Sequence, residues 1–297
     1  MTDPFQLPAG TRIGGVSLTV RNLDRSLSFY SQVLGFHLLQ RQGDEATFSA
    51  GFDSAPLIRL CERPGANVRP SGTSGLYHLA ILYPSRKALG TALHTLLRQE
   101  YPVRGASNHG VSEAIYISDP DRIGLELYAD LPREQWAWEG DEVKMVTEPL
   151  DVEQLLEESP PVGEAPVAPR TTIGHVHLQV SDLERSAHFY RDLLGFRLTQ
   201  SSYPGALFLA AGKYHHHIGL NVWAGEGVPS PPVDSAGLRS FTISIPGKGA
   251  FEGLVAHLGA SGVEIFPEIS ASAGLEYSLL DPDGIRVVIS TEPGREA

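Results

Sequence analysis

The sequence predicts an α+β protein made of four similar modules, each a β-strand followed by a helix and then by further strands. Three observations support this fold class. One segment occurs twice at an offset of 160 residues, both copies change from strand to helix periodicity, and a second repeated segment is built around an Asp-Pro-Asp turn. A length of 297 residues suggests two domains, at roughly 100–200 residues per domain.

The first repeat opens each half of the chain. Residues 13–36 (IGGVSLTVRNLDRSLSFYSQVLGF) align without a gap with residues 173–196 (IGHVHLQVSDLERSAHFYRDLLGF), and more than half of the positions are identical. Apolar residues alternate at the start of each copy, as in Val16, Leu18 and Val20. This period of two predicts a strand with one buried face.

A helix is expected after each of these strands. Asn22 and Asp182 stand where an N-cap side chain accepts hydrogen bonds from the free N–H groups of the first turn, and apolar residues then recur at helical spacing. Gly35 and Gly195 fall at the C′ position, where a left-handed residue ends a helix.

The second repeat closes each half. Residues 114–128 (AIYISDPDRIGLELY) resemble residues 277–290 (YSLLDPDGIRVVIS), with strand patterns on both sides of the turn. A Pro-, Glu- and Asp-rich segment between the halves indicates a linker with one short helix, DVEQLLEE. The predicted layout is a first domain over 1–132 with modules 13–62 and 75–130, a linker over 133–169, and a second domain over 170–297 with modules 173–224 and 237–291.

Composition and charge exclude several classes of protein. The net charge is −12 and the Lys and Arg residues are scattered, so a nucleic-acid partner is not expected. The single cysteine, Cys61, cannot form an internal disulfide. The sequence shows neither a signal peptide nor an apolar run of membrane-spanning length. We therefore expect a cytoplasmic protein without a membrane partner.

The strand IGHVHLQV, the following DLERSAHFYRDLLGF and the DPDG-type turn before the last strand resemble the vicinal oxygen chelate superfamily. The resemblance covers nearly the whole chain except the linker and the termini. The superfamily includes type I extradiol dioxygenases, glyoxalase I, fosfomycin-resistance proteins and metal-free bleomycin-binding proteins. It implies four βαβββ modules in two tandem vicinal oxygen chelate domains that form open barrels. Because this fold hosts both catalysis and plain binding, function must be argued from the site.

Metal-dependent members of the superfamily take their ligands from the first and last strands of a module. At these positions the chain carries Gly15, His78, His175 and Ser240 on the first strands, and Cys61, Glu126, Asn221 and Val288 on the last. If the second and third modules face each other, the resemblance implies a metal site of His78, Glu126 and His175, and a lost site in the other two modules. Two imidazoles and one carboxylate are the ligand set of non-haem Fe(II) oxygenases.

The alternative for each of these residues is structural. A single His on a strand is more often a hydrogen-bonded or exposed imidazole than a ligand. The ligand positions of His78 and His175 favour coordination, and so does the apolar strand around Glu126, where an unpaired carboxylate is costly to bury. His177 shares a strand face with His175 and is either a neighbour of the metal site or exposed.

Three consecutive histidines, 215–217, lie near the end of the third module. Counting by twos back from Asn221 turns His217 and His215 towards the proposed metal and His216 away, unless a bulge shifts the register. The alternative is a surface histidine run or an adventitious metal patch. Extradiol dioxygenases carry an acid/base His in the corresponding strand. The resemblance therefore implies a catalytic role for His217 or His215 and leaves His216 open.

His109 and Tyr116 precede Glu126 in the order His, Tyr, Glu that extradiol enzymes show in their active module. The resemblance implies catalytic roles for both, with a loop His and a core Tyr as the alternative. The third module followed by the second thus reproduces the residue order of an extradiol catalytic domain, as if that domain had been cyclically rearranged.

The resemblance is greatest to two-domain bacterial extradiol dioxygenases of the catechol-2,3-dioxygenase type. It implies an oxidoreductase of aromatic catabolism that uses Fe(II), or Mn(II) in its place, to cleave a small aromatic diol with O2 to a muconic semialdehyde.

Three other functions stay open. They are a hydroquinone ring-cleaving dioxygenase, a glyoxalase-like lyase and a non-enzymatic small-molecule binding or resistance protein. The lyase is disfavoured, because glyoxalase I uses two carboxylates and Asn221 stands where the second would be. A homo-oligomer is an open alternative to a monomer.

Overall fold

The computed structural model of the chain describes residues 5–159, 166–268 and 275–291. Its framework consists of two large mixed β-sheets, one of eight strands and one of nine, together with a small two-stranded sheet. One cluster of buried apolar side chains includes residues of both large sheets and of the helices packed on them.

All four modules show the predicted order of strand, helix and further strands. The first contains β1 (Arg12–Val20), α1 (Leu23–Ser28), a π-helical turn (Phe29–Val33), β2 (His37–Gln42), β3 (Glu45–Ser49) and β4 (Ile58–Glu62). The second contains β5 (Gly75–Leu82), α2 (Arg86–Arg98), β6 (Gly105–Asn108), β7 (Ser112–Ser118) and β8 (Gly124–Asp130). After these come a 3-10 turn (Arg133–Gln135), β9 (Trp138–Glu139), β10 (Glu142–Val143), β11 (Glu148–Pro149) and α3 (Val152–Glu157).

The second half repeats the pattern. The third module contains β12 (Thr172–Gln179), α4 (Leu183–Ala187), a π-helical turn (His188–Leu193), β13 (Arg197–Gln200), β14 (Ala206–Ala210) and β15 (Ile218–Asn221). The fourth contains β16 (Gly237–Ile245), α5 (Lys248–Ala260), β17 (Phe266–Pro267), β18 (Glu276–Leu280) and β19 (Arg286–Thr291).

Each large sheet combines one module from each half of the chain. The nine-stranded sheet joins the second and third modules through the antiparallel pair β5 and β12, and the eight-stranded sheet joins the first and fourth through β1 and β16. Within every module the first strand runs parallel to the last. The sheets therefore cross the sequence boundary between the halves, and the domain limits at 132 and 170 stay a prediction.

The predicted helix caps are confirmed. The side chain of Asn22 accepts a hydrogen bond from the Arg25 N–H at 2.8 Å, and Asp182 accepts one from the Arg185 N–H at 2.9 Å. Gly35 and Gly195 have φ angles of 76° and 87°, in the left-handed region that favours glycine. Both helices end in a π-helical turn, which the apolar periodicity alone did not predict.

The segment after the second module is more closely packed than a solvated linker. Trp136, Val143 and Leu155 are buried, and β11 adds to the edge of the nine-stranded sheet. The short predicted helix is present as α3. The sequence did not predict this packing, because the apolar residues of the segment are interspersed among Pro, Glu and other polar residues without a clear period.

No helix in the described ranges is both long enough and apolar enough to cross a membrane.

Candidate metal centre

His78 on β5, Glu126 on β8 and His175 on β12 bring three potential ligand atoms together in the nine-stranded sheet. His78 Nε2 lies 2.8 Å from Glu126 Oε2, His175 Nε2 lies 3.2 Å from the same oxygen, and the two Nε2 atoms are 3.3 Å apart. All three residues are buried. In the described part of the chain, they are the one group of three His, Cys, Asp or Glu residues whose ligand atoms lie within 4.8 Å of one another.

Three adjacent strands position this cluster. Ala80 pairs with Glu126 on one side and with His175 on the other, and directly paired residues point to the same face of a sheet. His78 lies two residues before Ala80 and so shares that face. The fully buried Ala80 has only a methyl group, which leaves space for the three larger side chains to converge.

The separations fit three ligands on one face of an octahedral cation. Bonds of about 2.1 Å at right angles place neighbouring donor atoms about 3.0 Å apart, close to the three separations in the cluster. Burial raises the pKa of Glu126, but the His78 and His175 imidazoles outweigh it and hold this pKa well below the usual range. Burial lowers the pKa of His175 to about 4. An ionised carboxylate and an unprotonated imidazole are the forms that bind metals.

The third module offers no fourth ligand from its last strand. In β5 and β8, Ala80 pairs with Glu126, whereas the corresponding pair in β12 and β15 is His177 with Gly219. Gly219 is therefore the counterpart of Glu126, and the alignment that gave this place to Asn221 was wrong by two residues. The His177 ring occupies the space, because a Cβ on Gly219 would lie 2.8 Å from it.

The same comparison applies to the eight-stranded sheet. Strand pairing gives Arg59, rather than Cys61, the place that corresponds to Glu126 in the first module, and it keeps Val288 in the fourth. Cys61 instead donates through Sγ to Glu45 Oε1 at 3.4 Å. Neither an arginine nor a valine is a usual ligand for a divalent cation.

The cluster opens into a cavity of about 280 Å³. Its walls are mainly aromatic and imidazole rings, and no Lys or Arg is among the described residues that line it. Besides the three cluster residues, the lining consists of Tyr77, Ser107, His109, Val111, Ser112, Tyr116, Met145, Thr147, His177, Tyr203, Phe208, His216 and Trp223. Met145 and Thr147 lie in the predicted linker, and the sequence did not predict that they line a site.

The histidine run has the opposite orientation to the predicted one. His216 lines the cavity and its ring centroid is 4.0 Å from that of His175, whereas His215 and His217 do not line it. Counting by twos failed because β15 begins only at Ile218, so residues 215–217 do not follow a strand period. His217 Nδ1 instead accepts the Ala211 N–H at 3.2 Å.

A hydrogen-bonded chain lies behind His216. His215 Nδ1 is 2.8 Å from His216 Nδ1, and His215 Nε2 is 3.0 Å from Asp130 Oδ1. The same carboxylate oxygen accepts the Tyr214 hydroxyl at 3.1 Å. Asp130 lies on β8 four residues after Glu126, and no sequence pattern predicted a role for it.

His109 and Tyr116 both line the cavity and contact each other. His109 Nδ1 is 2.8 Å from the Val146 carbonyl oxygen, so this nitrogen carries the proton and donates. His109 Nε2 then accepts the Tyr116 hydroxyl at 2.7 Å when the imidazole is neutral. Tyr116 pairs with Glu126 across β7 and β8, and burial, first of all, raises its pKa well above the usual value.

His177 is the buried wall residue that the sequence left undecided. Its ring packs against Tyr77, Phe208 and Trp223 with centroid distances of 5.2–5.5 Å. Burial, first of all, lowers its pKa well below the usual range, so the imidazole is neutral at pH 7.

Comparisons with known proteins agree with this architecture. Residues 12–127 and 172–289 match the sequence model of the Glyoxalase/Bleomycin resistance protein/Dioxygenase superfamily. Over 241 residues the chain is 46% identical to a catechol-2,3-dioxygenase of Bacillus subtilis, a match that covers 80% of this chain and 83% of that protein.

Two solved structures show the same fold. A putative dioxygenase from Bacillus subtilis superimposes with a TM-score of 0.66 and 14% identity, over 98% of this chain and 87% of the other. Glyoxalase I from Zea mays gives a TM-score of 0.57 and 18% identity, over 95% and 92%. The chain therefore belongs to the Glyoxalase/Bleomycin resistance protein/Dioxygenase superfamily, and its sequence identity makes it an enzyme of the dioxygenase type.

Proposed function

We propose that this protein is an Fe(II)-dependent extradiol dioxygenase that cleaves a catechol-type ring beside its two hydroxyl groups. O2 is the oxidant, both of its atoms enter the product, and the product is a muconic semialdehyde. The observation that carries the proposal is the convergence of His78, Glu126 and His175, whose donor atoms lie 2.8–3.3 Å apart. These three residues would hold the iron.

The ligand set supports an oxygenase over a lyase. Iron, when bound, supplies coordination sites for the two catechol oxygens and for O2, and it passes electrons from the ring to the oxidant. With three protein ligands, a bound iron would keep coordination positions free for substrates. Gly219 in place of a second carboxylate disfavours the two-carboxylate arrangement that the resemblance attributes to glyoxalase I.

The cavity residues supply the proton chemistry. A catechol must lose its hydroxyl protons to bind through both oxygens, and the oxygen derived from O2 must later be protonated. His216 lies beside His175 and lines the cavity, so we assign it the proton transfer that the sequence analysis assigned to His217 or His215. Burial, first of all, lowers the pKa of His216 well below the usual range, so its imidazole is unprotonated at pH 7 and has a lone pair that can accept a proton.

His109 and Tyr116 act at another part of the cavity wall. The His109 N–H is held by the Val146 carbonyl, which fixes the ring so that Nε2 faces the Tyr116 hydroxyl. Tyr116 thus has a defined hydrogen-bond direction before substrate binds. We propose that this pair orients the substrate and hydrogen-bonds to the oxygen that gains a proton.

Reconstitution tests the proposal directly. Purified protein is loaded anaerobically with Fe(II) or with Mn(II), and O2 uptake on addition of catechol is measured together with the product mass under ¹⁸O2. We expect metal near one ion per chain, O2 uptake equal to catechol consumed, and two labelled oxygen atoms in the product. Comparing the two metals identifies the one that supports turnover.

Other outcomes would contradict it. Turnover of hydroquinone but not of catechol would favour the hydroquinone dioxygenase. Isomerisation of a glutathione hemithioacetal without O2 uptake would favour the lyase, and aromatic binding without turnover by the metal-loaded protein would favour a binding protein.

A further inference from the structure

We infer that Asp130 and His215 are positioning residues that fix the tautomer of His216, so that His216 presents an unprotonated Nε2 to the cavity. The catalytic consequence rests on the proposed function, whereas the tautomer itself does not. The geometry is a continuous chain of hydrogen bonds from the Asp130 carboxylate through His215 to His216.

The donors and acceptors along these hydrogen bonds determine the tautomer of His216. A carboxylate only accepts hydrogen bonds, so His215 Nε2 must donate to Asp130 Oδ1 across their 3.0 Å separation. A neutral imidazole has a single N–H, which leaves His215 Nδ1 as an acceptor. The 2.8 Å contact between the two Nδ1 atoms then requires His216 Nδ1 to donate. The remaining nitrogen of His216, Nε2, carries a lone pair.

The same hydrogen bonds allow the positive charge to move from His216 to His215, away from the cavity. When His216 Nε2 accepts a substrate proton, its Nδ1 proton can pass to His215 Nδ1. The positive charge then lies on His215, in hydrogen-bond contact with the Asp130 carboxylate. A buried cation is stabilised by a paired carboxylate, as in other histidine and aspartate catalytic pairs. When the proton returns to the oxygen of the product, the chain regains its starting state.

The surroundings hold this arrangement in place. His215 is fully buried and its ring packs against Trp136 and Tyr214. The Tyr214 hydroxyl contacts both Asp130 and, at 2.9 Å, the Tyr128 hydroxyl. Tyr128 reaches this position because residue 174 is glycine, where a Cβ would lie 1.7 Å from the Tyr128 hydroxyl. The side chains of Trp136, Tyr214, Asp130 and Tyr128 thus restrict the rotation of the two histidine rings.

Nuclear magnetic resonance measures the tautomer without turnover. Metal-free protein labelled with ¹⁵N-histidine is studied by long-range ¹H–¹⁵N correlation, and the His216 signals are assigned by their loss in His216→Gln. We expect His216 to be in the Nδ1–H form in the wild-type protein and to lose that preference in Asp130→Asn, because an amide can donate to His215 as well as accept. An Nε2–H form of His216 in the wild-type protein would overturn the inference.

Kinetics measures the consequence for catalysis. With Fe(II)-loaded enzyme, we expect Asp130→Asn to lower kcat by roughly 10- to 100-fold while KM for catechol changes by less than about twofold, because the pair acts on proton transfer and not on substrate contact. Metal content and Tm are measured on the same samples. The matched control is Asp192→Asn, which removes the carboxylate of an exposed Asp–His pair with His188 at 2.9 Å. Neither residue lines the cavity, so this variant should leave kcat unchanged.

The outcomes separate the inference from the proposed function. An unchanged kcat in Asp130→Asn, with metal content preserved, would overturn the catalytic part of the inference. A wild-type enzyme that turns over no catechol would overturn the proposed function, while the tautomer measurement would still decide the geometry of the hydrogen-bonded chain.

Discussion

Nε2 of His78 and Nε2 of His175 lie 3.3 Å apart, although 97 residues separate them along the chain. The antiparallel pairing of β5 with β12 produces this contact, and Glu126 on the neighbouring strand completes it. Two imidazole nitrogens and one carboxylate oxygen at these separations are the donor set that we propose for the iron.

Glu126→Ala should abolish iron retention and leave the chain folded. The substitution removes the single negative ligand, and we expect at least a tenfold loss in metal content after gel filtration. Metal analysis and circular dichroism check the result. Ser240→Ala is the matched control, because Ser240 occupies the first-strand position in the fourth module that His78 occupies in the second. Iron loss in this control would mean that the modules do not divide the sites as proposed.

His216→Gln should lower kcat by roughly 100-fold without reducing iron content, because it removes the proposed proton acceptor beside the metal but no ligand. The neighbouring His217→Gln should act differently. His217 is buried and accepts the Ala211 N–H, so we expect a lower Tm and a smaller change in kcat. Steady-state kinetics and thermal unfolding of both variants distinguish the two roles. A greater loss of kcat in His217→Gln would favour the orientation predicted from the sequence.

Neutral catechols should be better substrates than catechols that carry a carboxylate. The residues that line the cavity include no Lys or Arg, so an anionic substituent would be desolvated without a cationic partner. We expect kcat/KM for 4-methylcatechol to exceed that for 3,4-dihydroxybenzoate by at least about 30-fold, which corresponds to roughly 2 kcal/mol. The methyl group of the first compound and the carboxylate of the second are similar in size but differ in charge. Equal values would show that a cation outside the cavity reaches the substrate.

The contributions of Asp119 and Asp281 to the stability of the protein should fall as the pH rises from about 4 to about 7. Burial is the main cause that raises the pKa of Asp119 to about 7 and that of Asp281 to about 6. Because these folded-state pKa values exceed the unfolded ones, the contribution of each carboxyl is full below about 4 and is lost as the pH rises through the folded-state value.

Asp119→Asn tests this dependence. The amide oxygen can still accept the Asp121 and Ile123 N–H groups, both at 2.8 Å, but the side chain no longer ionises. In urea unfolding, the free energy of unfolding of Asp119→Asn minus that of the wild type should rise by up to about 4 kcal/mol between pH 4 and 7. Asp53→Asn, at an exposed position, serves as the control. A wild-type slope in Asp119→Asn would contradict the prediction.

The repeats made the fold predictable, while the site was predictable only in part. Period-two alternation and the caps at Asn22 and Asp182 are local properties, and the structure reproduces them. The convergence of His78 with His175 depends on strand pairing across the two halves, which the sequence analysis reached only through a resemblance. The orientation of His216 depends on where β15 begins, and no local pattern marks that residue.

A two-residue error had a similar origin. The sequence alignment of the last strands matched Asn221 with Glu126. The strand pairing instead makes Gly219 the counterpart of Glu126. Met145 and Thr147 line the cavity from a polar segment. They were not predicted because that segment is too short to show a strand or helix period.

Gly219→Ala should destabilise the protein and disturb the cavity wall. A Cβ at this position would lie 2.8 Å from the His177 ring, which is itself confined by Phe208 and Trp223, so the ring must move. We expect a loss of about 1–3 kcal/mol in the free energy of unfolding. Gly249→Ala in α5, where a Cβ would meet nothing within 4 Å, controls for the loss of glycine and should be neutral or slightly stabilising.

A double-mutant cycle attributes that loss to the His177 ring. Serine stands at the corresponding position of the first module, Ser17, so His177→Ser is a substitution that this fold accommodates. If the clash is the cause, Gly219→Ala should cost little in the His177→Ser background, with a coupling energy of about 1–3 kcal/mol. Additive losses in the free energy of unfolding would mean that the backbone conformation at residue 219 requires glycine. They would exclude a clash with the His177 ring as the cause.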